Sequence, residues 1–310
     1  MSFSLTILGS SSALPTSKRF PTAHLLNVNE QFFLIDCGEG TQIQLRKYGL
    51  NFGKINHIFI SHLHGDHTFG LVGLLSSFAL LGRKHSLHVF APSNLEQIIE
   101  STFRFYNIQL PFKLIYHVLD NKSLEMIYED DKMFVNCFPL EHRIPTYGFF
   151  FKEKPRERNI KKEAIEDYNI PIKDIVKIKK GADYILPNDK VISNKEITLP
   201  PYQQRSYGFI TDTLFNEGFA EHVENADLLY HEATFLHKDI DKAKNTFHSS
   251  ALQAAILANR AKAKKLLIGH FSARYKNHQP FIDEARSSFE HSHGVNDGDV
   301  FDVELTRESE

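Results

Sequence analysis

His62-Leu63-His64-Gly65-Asp66-His67 follows directly on the apolar run Ile55–Ile60. Four side chains of metal-binding type stand within these six residues. Neutral imidazole and carboxylate are the nitrogen and oxygen ligands that zinc takes near neutral pH. Grouping them without a cation would bury polar atoms and mutual repulsion for no return. The plain alternative is a polar loop that happens to be rich in histidine. An ordered H-x-H-x-D-H at the end of a hydrophobic strand reads instead as a motif with a mechanism.

Working outward, the same pattern recurs. Phe32–Ile35 ends in Asp36, and Ile58–Ile60 leads to His62. Val135–Phe138 leads through Pro139-Leu-Glu141 to His142, and Tyr207–Ile210 leads to Asp212. Leu228–Tyr230 ends in His231 and Glu232, and Leu266–Ile268 leads to His270. Short apolar runs of this kind are buried strands. Reactive groups at strand ends gather at one edge of a sheet, where open α/β sheets carry their sites. Helices are expected between the strands: Asp66–Leu81, with Asp66 as its cap; Ser93–Phe105 after Ala91-Pro92; and the Ala-rich Ser249–Lys262, opened by His248 or Ser249.

Composition sets the bounds. The 310 residues, 42% hydrophobic and 24% charged, fit an ordinary globule able to bury a full core. A net charge of −2 gives no global sign of nucleic-acid binding, so any such site must be local. No apolar run approaches the length of a membrane span, and the amino terminus reads as a first strand, so neither span nor signal peptide is expected. Cys37 and Cys137 follow strand-like runs and read as buried free thiols of a reducing compartment. Lys152–Lys180 breaks the rhythm, with ten Lys or Arg against six Asp or Glu. It carries +4, so the remainder carries −6. Its apolar positions look too sparse for core, so it should project: a solvated excursion, or a basic arm for a polyanion.

The strand ends supply His62, His64, Asp66, His67, His142, Asp212 and His270. A set this rich in imidazole and carboxylate, without thiolate, suits zinc first and manganese second. About seven ligands are what a pair of metals needs, and such a pair activates water for in-line displacement at phosphorus. Hydrolysis is therefore the expected reaction type. Solitary His24, His57, His85, His88 and His117 read as surface or satisfied core.

The H-x-H-x-D-H signature resembles the metallo-β-lactamase superfamily, whose fold is a four-layer αββα sandwich. Within it the chain is similar, over nearly its whole length, to the tRNase Z family of tRNA 3′-processing endoribonucleases. The stretches that carry this are Leu34-Ile-Asp36-Cys-Gly-Glu-Gly-Thr-Gln42, Ile60-Ser-His-Leu-His-Gly-Asp-His67 with Phe69-Gly-Leu-Val-Gly-Leu-Leu75, His231-Glu-Ala-Thr234, His248-Ser-Ser250 and Gly269-His-Phe-Ser-Ala-Arg-Tyr275. The resemblance implies one zinc on His62, His64, His142 and Asp212. A second would sit on Asp66, His67, His270 and the bridging Asp212. Asp66 would orient or deprotonate the attacking water. His248, helped by His231 and Glu232, would give a proton to the leaving 3′ oxygen. Asp36 would steady a ligand histidine from behind.

The family's tRNA-gripping arm corresponds to residues 152–180, which puts Lys152, Lys154, Arg156, Arg158, Lys161, Lys162, Lys177, Lys179 and Lys180 on RNA. The family's arm commonly has Gly-Pro after its Ile-Pro; here Ile172-Lys173-Asp174 follows Pro171. The expectation is a single domain over 1–310 with this inserted arm, cytoplasmic and homodimeric, cutting precursor tRNA. Two rivals are a hydrolase of the same superfamily acting on small phosphodiesters or sulfate esters, and a metal-stabilised RNA-binding protein without turnover.

Overall fold

The computed structural model describes residues 1–309. The chain opens with β1 (Phe3–Gly9), β2 (Ala23–Val28) and β3 (Gln31–Ile35). Next come α1 (Thr41–Lys47), β4 (Ile55–Phe59), α2 (Gly65–Thr68), α3 (Leu71–Leu80), β5 (Leu87–Pro92), α4 (Leu95–Phe105) and β6 (Leu114–Leu119). β7 (Glu125–Glu129), β8 (Met133–Leu140) and β9 (Thr146–Glu153) lead into an excursion. It contains β10 (Asn159–Ile160), α5 (Lys162–Asp167), α6 (Ile172–Lys179), β11 (Tyr184–Ile185), β12 (Val191–Ile192), α7 (Asn194–Ile197) and β13 (Thr198–Leu199). The chain returns through β14 (Ser206–Ile210), β15 (Leu228–Glu232), α8 (Ile240–Thr246), α9 (Ala251–Arg260), β16 (Leu266–Gly269), α10 (Gln279–Arg286), β17 (Ser292–Gly294) and β18 (Val300–Asp302).

Two large sheets result, ordered β18-β1-β2-β3-β4-β5-β6 and β17-β16-β15-β14-β9-β8-β7. Their central strands, such as β3, β9, β14 and β16, are buried on both faces, which is why they read as runs and not as alternations. In β3, Phe33 and Ile35 pack in the core between the sheets, while Phe32 and Leu34 meet the helices outside. In β9, Tyr147, Phe149 and Phe151 enter the shared core, and Phe150 faces the other way. Leu45 of α1, Leu74 and Phe78 of α3 and Ile99 of α4 cover the first sheet. Ala254, Ala255 and Ala258 of α9 and Phe281 of α10 cover the second. The layers are therefore α, β, β, α, the metallo-β-lactamase sandwich. Among the described residues no helix is long and apolar enough to cross a membrane. Cys37 and Cys137 are free and buried.

Strand direction places the site. β3, β4 and β5 are parallel neighbours, as are β14, β15 and β16. β8 is antiparallel to β9, which is antiparallel to β14, so β8 runs the same way as β14. The residues following β3, β4, β8, β14, β15 and β16 consequently emerge at one edge, with the two sheets packed face to face behind them.

Local expectations needed adjustment. The helix expected over Asp66–Leu81 is broken into α2 and α3, and His64 rather than Asp66 stands at the start of α2. The break falls where the loop after β3 docks. Cys37 N–H donates to the His67 carbonyl (2.8 Å), and Gly70 N–H to the Cys37 carbonyl (2.9 Å). A Cβ on Gly70 would lie 2.1 Å from the Gly38 carbonyl oxygen, so only glycine fits there. α4 begins at Leu95, and α9 begins after Ser250, whose hydroxyl forms a capping box with Gln253.

The basic excursion also differs from its expected bounds. Lys152 belongs to β9 and pairs with Phe134 and Ser206, so the insertion runs from residue 154 to 205. Nor is it coreless: Ala164, Ile170, Ile178, Tyr184, Ile192 and Ile197 form a small core of their own. The sequence hid this because the net-basic stretch ends at Lys180 while the apolar partners continue through Tyr184 and Ile192 to Ile197. At its base, Arg205 donates to both Glu153 carboxylate oxygens, each at 2.9 Å, with both side chains buried. Glu153→Ala would leave a buried guanidinium without its counter-ion. We expect a loss of about 3–5 kcal/mol in chemical denaturation, and a smaller loss for Glu153→Gln, which keeps an acceptor.

Candidate metal centre and active-site cleft

His62, His64, His142 and Asp212 each bring one ligand atom within 4.8 Å of the others, and so do Asp66, His67, Asp212 and His270. The two sets share Asp212 and divide its oxygens. Oδ2 faces His62 Nε2 (3.6 Å) and His142 Nε2 (3.9 Å), while Oδ1 faces His67 Nε2 (3.5 Å) and His270 Nε2 (3.2 Å). Asp66 Oδ2 completes the second set, 3.4 Å from His67 Nε2 and 3.3 Å from His270 Nε2. Ligands at roughly 2.0–2.2 Å in a tetrahedron stand about 3.3–3.6 Å apart, and the 3.2–3.9 Å found brackets that spacing.

The outer hydrogen bonds fix which nitrogen of each ring faces inward. His67 Nδ1 donates to Asp36 Oδ2 (2.7 Å). Asp36 also accepts from the Ser61 N–H (2.7 Å) and the Ser61 hydroxyl (2.8 Å). With its proton given to Asp36, that hydroxyl accepts from His62 Nδ1 (3.0 Å). The Phe247 carbonyl, which can only accept, takes the Nδ1–H of His142 (2.9 Å). The Thr234 hydroxyl donates to Glu232 and so accepts from His270 Nδ1 (2.9 Å). Each of these rings therefore turns Nε2 into the site, where its neutral form offers a lone pair. His64 presents Nδ1, 3.0 Å from His62 Nε2 and 3.4 Å from His142 Nε2.

The electrostatics agree. Burial, followed by His67 itself, holds His62 well below its ordinary value. At His67 burial is outweighed by Asp66, Asp36 and Asp212, which draw the ring well above it. His67 Nε2 is buried and has no hydrogen-bond partner among the described residues. The pocket thus favours positive charge at that atom, and the donor set suits a pair of borderline divalent cations.

The sets open on a cleft of about 870 Å³ that His64, Asp66, His142, Asp212, His248 and His270 all line. His248 Nδ1 lies 2.9 Å from Glu232 Oε1. Burial alone would lower His248, but the Glu232 carboxylate more than offsets it, and the ring is pushed up to about 9. Its side chain is 15% exposed and that of Glu232 fully buried, so the ring faces the cleft with its counter-ion sealed behind. Glu232, His248 and His270 could be read as a third metal set. However, Glu232 already accepts from the N–H groups of Thr213 (2.9 Å) and Thr234 (3.1 Å), the Thr234 hydroxyl and His248. This is a hydrogen-bonded relay.

A family model described as Anti-Pycsar protein Apyc1 matches residues 3–154. The Ribonuclease Z of Bacteroides fragilis is 45% identical over 287 residues, 93% of this chain and 94% of that one. The chain belongs to the ribonuclease Z family. Human tRNase Z, short form, superposes with a TM-score of 0.69 at 27% identity, covering 96% of this chain and 98% of that one. A metallo-beta-lactamase fold protein from Bacillus subtilis gives a TM-score of 0.68 at 17% identity over 98% and 100%. That second likeness bears on the fold alone.

Two groups of expected ribonuclease Z residues fall otherwise than the sequence suggested. His231 does not line the cleft. Its Nδ1 donates to the Glu232 backbone carbonyl (2.7 Å) and it is fully buried, whereas the side chain paired with His248 is that of Glu232 (2.9 Å). Successive strand residues point to opposite faces, which is why His231 and Glu232 diverge.

Of the nine basic residues expected on RNA, the side chains of five have partners within the structure and a sixth, Lys152, belongs to the sheet and not to the insertion. Lys152 sits in β9, Lys154 pairs with Glu129 (2.8 Å), Arg156 with Glu153 (2.6 Å) and Lys179 with Glu157 (3.5 Å). Arg158 donates to Thr198, and Lys161 to the Glu196 carbonyl, each at 2.7 Å. Lys162, Lys177 and Lys180 are exposed and unpaired among the described residues. The sequence reading missed Ser61, Thr213 and Thr234 and the Phe247 carbonyl. Ser61 and Thr234 stood inside quoted motifs, whereas a backbone acceptor leaves no sequence signal.

Asp36 controls two ligand rings, one directly and one through Ser61. Asp36→Asn should weaken metal retention by about 10–100-fold, measured by competition with a chromophoric chelator. Unchanged retention would mean Asp36 serves only the fold.

Proposed function

We propose that the chain is a zinc-dependent endoribonuclease that cuts the 3′ trailer from precursor tRNA and leaves a 3′-hydroxyl on the tRNA. The observation that carries this reading is the pair of inward-facing ligand sets sharing Asp212, at the floor of a cleft that His248 also faces. Two zinc ions, or manganese in their place, would be held by His62, His64, His142 and Asp212, and by Asp66, His67, His270 and Asp212. When bound, they supply a water of lowered pKa and stabilise charge on the oxygens at phosphorus.

The chain's own groups do the rest. Asp66 is kept ionised by His67 and His270 despite burial, and it orients the attacking water. As the water oxygen gives up a proton to Asp66 and bonds to phosphorus, the bond from phosphorus to the 3′ oxygen of the tRNA breaks, and His248 donates the proton that this oxygen needs. Glu232 holds His248 protonated and oriented. The insertion between Glu153 and Arg205 acts as the arm that grips tRNA, with Lys162, Lys177 and Lys180 free to meet phosphate. A homodimer accords with the large apolar side chains that the outer helix layer leaves uncovered, Leu80 and Phe105 each 88% exposed. Free buried thiols accord with the cytoplasm.

The test is cleavage of precursor tRNA with and without chelator, with both ends mapped. A product ending at or beside the discriminator base, lost with chelator, is expected; hydrolysis of small phosphodiesters alone would contradict the reading. On the same substrate His248→Ala should slow turnover by about 10²–10⁴-fold at unchanged metal content. Activity needs the protonated ring, so it should fall as pH rises through about 9. Glu232→Gln removes the raising charge and should move that limb to lower pH. A limb that stays in place would mean another group titrates.

A further inference from the structure

We propose that Phe69 is a stacking platform for the nucleobase beside the scissile phosphate. The inference rests on the endoribonuclease reading and adds a positioning residue that is neither ligand nor acid. Phe69 is 75% exposed, yet it is not on a random surface: it forms part of the cleft wall. It follows His67 by two residues and Gly65 by one helical turn, and its N–H donates to the Gly65 carbonyl (2.8 Å). One edge of its ring rests on Gly65 so closely that a Cβ there would lie 2.2–2.7 Å from the ring carbons Cε2, Cζ and Cδ2. Glycine at 65 therefore lets the ring lie against the backbone joining His64 to Asp66. The ring is pinned at one edge, open on the remainder, and immediately beside two groups that bracket the reacting phosphate.

The rest of the cleft mouth matches a nucleotide strand. Leu14, 66% exposed, and Pro15 form another apolar part of the wall. Arg143 and Arg274 also line it; neither has a carboxylate partner among the described residues, although Arg143 donates to the Asn245 carbonyl (2.9 Å). Flat apolar surface interleaved with cations free of carboxylates is how proteins hold single-stranded nucleic acid, the bases stacking on rings and the phosphates meeting charge. Phe69 is the exposed aromatic of this wall. A base stacked on it belongs to a nucleotide adjoining the cut, the discriminator on one side or the first trailer residue on the other.

The experiment compares wild type, Phe69→Ala and Phe69→Trp on precursor tRNA and on two versions carrying an abasic residue at one of those two positions. Metal content and oligomeric state are measured on each protein. On the normal substrate Phe69→Ala should raise KM about 5- to 100-fold, with Phe69→Trp near wild type. On one of the two abasic substrates wild type should already be impaired, and Phe69→Ala should add little further loss. A 2-aminopurine at that position should be quenched on binding wild type and not on binding Phe69→Ala. Equal losses on all three substrates, loss that follows a changed oligomeric state, or no loss at all would each overturn the stacking role. Wild-type protein that fails to process precursor tRNA would remove the endoribonuclease reading as well; normal wild-type processing with an unaffected Phe69→Ala would remove the stacking role alone.

Discussion

Imidazole nitrogens that face one another at 3.0–3.4 Å with their lone pairs inward, beside carboxylates at 3.2–3.9 Å, repel unless positive charge lies between them. This constraint organises the molecule. The rings cannot turn away, because Asp36, Ser61, Thr234 and the Phe247 carbonyl each engage an outer nitrogen. Local backbone cost is accepted for the same end. Asp36, Phe247 and His270 all have φ near +60°, a region that disfavours side chains by roughly 1–2 kcal/mol each. The strain sits at the residues that hold or aim ligands, where an over-determined surrounding can maintain it.

The fold delivers these groups through strand polarity. Parallel strands in each sheet end at a common edge, and packing the sheets face to face brings two such edges together. Neither half suffices: the first sheet supplies His62, His64, Asp66 and His67, and the second supplies His142, Asp212 and His270. The acid arises from the same geometry. Glu232 ends β15 at that edge, and His248 reaches it from the turn between α8 and α9, whose αL residue Phe247 also holds His142. The proposed cation ligand His142 and the proposed proton donor His248 are thus held by one turn.

Much of this could be read from the chain because strand-end chemistry is local. An apolar run followed by His or Asp reports both a buried strand and where it stops, so the ligand residues and the α/β character came from pattern, while the four-layer sandwich came with the resemblance to a known family. What escaped depends on non-local contact. The split of Asp66–Leu81 into α2 and α3 follows from the loop at Cys37-Gly38 docking on Gly70, which no helix signal contains. His231 and Glu232 look equivalent in sequence, and only the strand's alternation sends one into the helix layer and the other to His248, behind the cleft. The insertion seemed coreless because Ile192 and Ile197 lie beyond the charged stretch, across two turns. Charge count likewise overstated the RNA-facing set, since a Lys or Arg tied to Glu129, Glu153 or Glu157 builds the stem of the arm.

The central claim is that Asp212 joins two cation positions that act as one site. Titrating metal-free protein with zinc, counting bound zinc per chain by elemental analysis while following precursor-tRNA cleavage, tests it most directly. Binding should saturate at two equivalents per chain, with cleavage reaching its maximum only as the second is filled; saturation and full cleavage at a single equivalent would contradict the account.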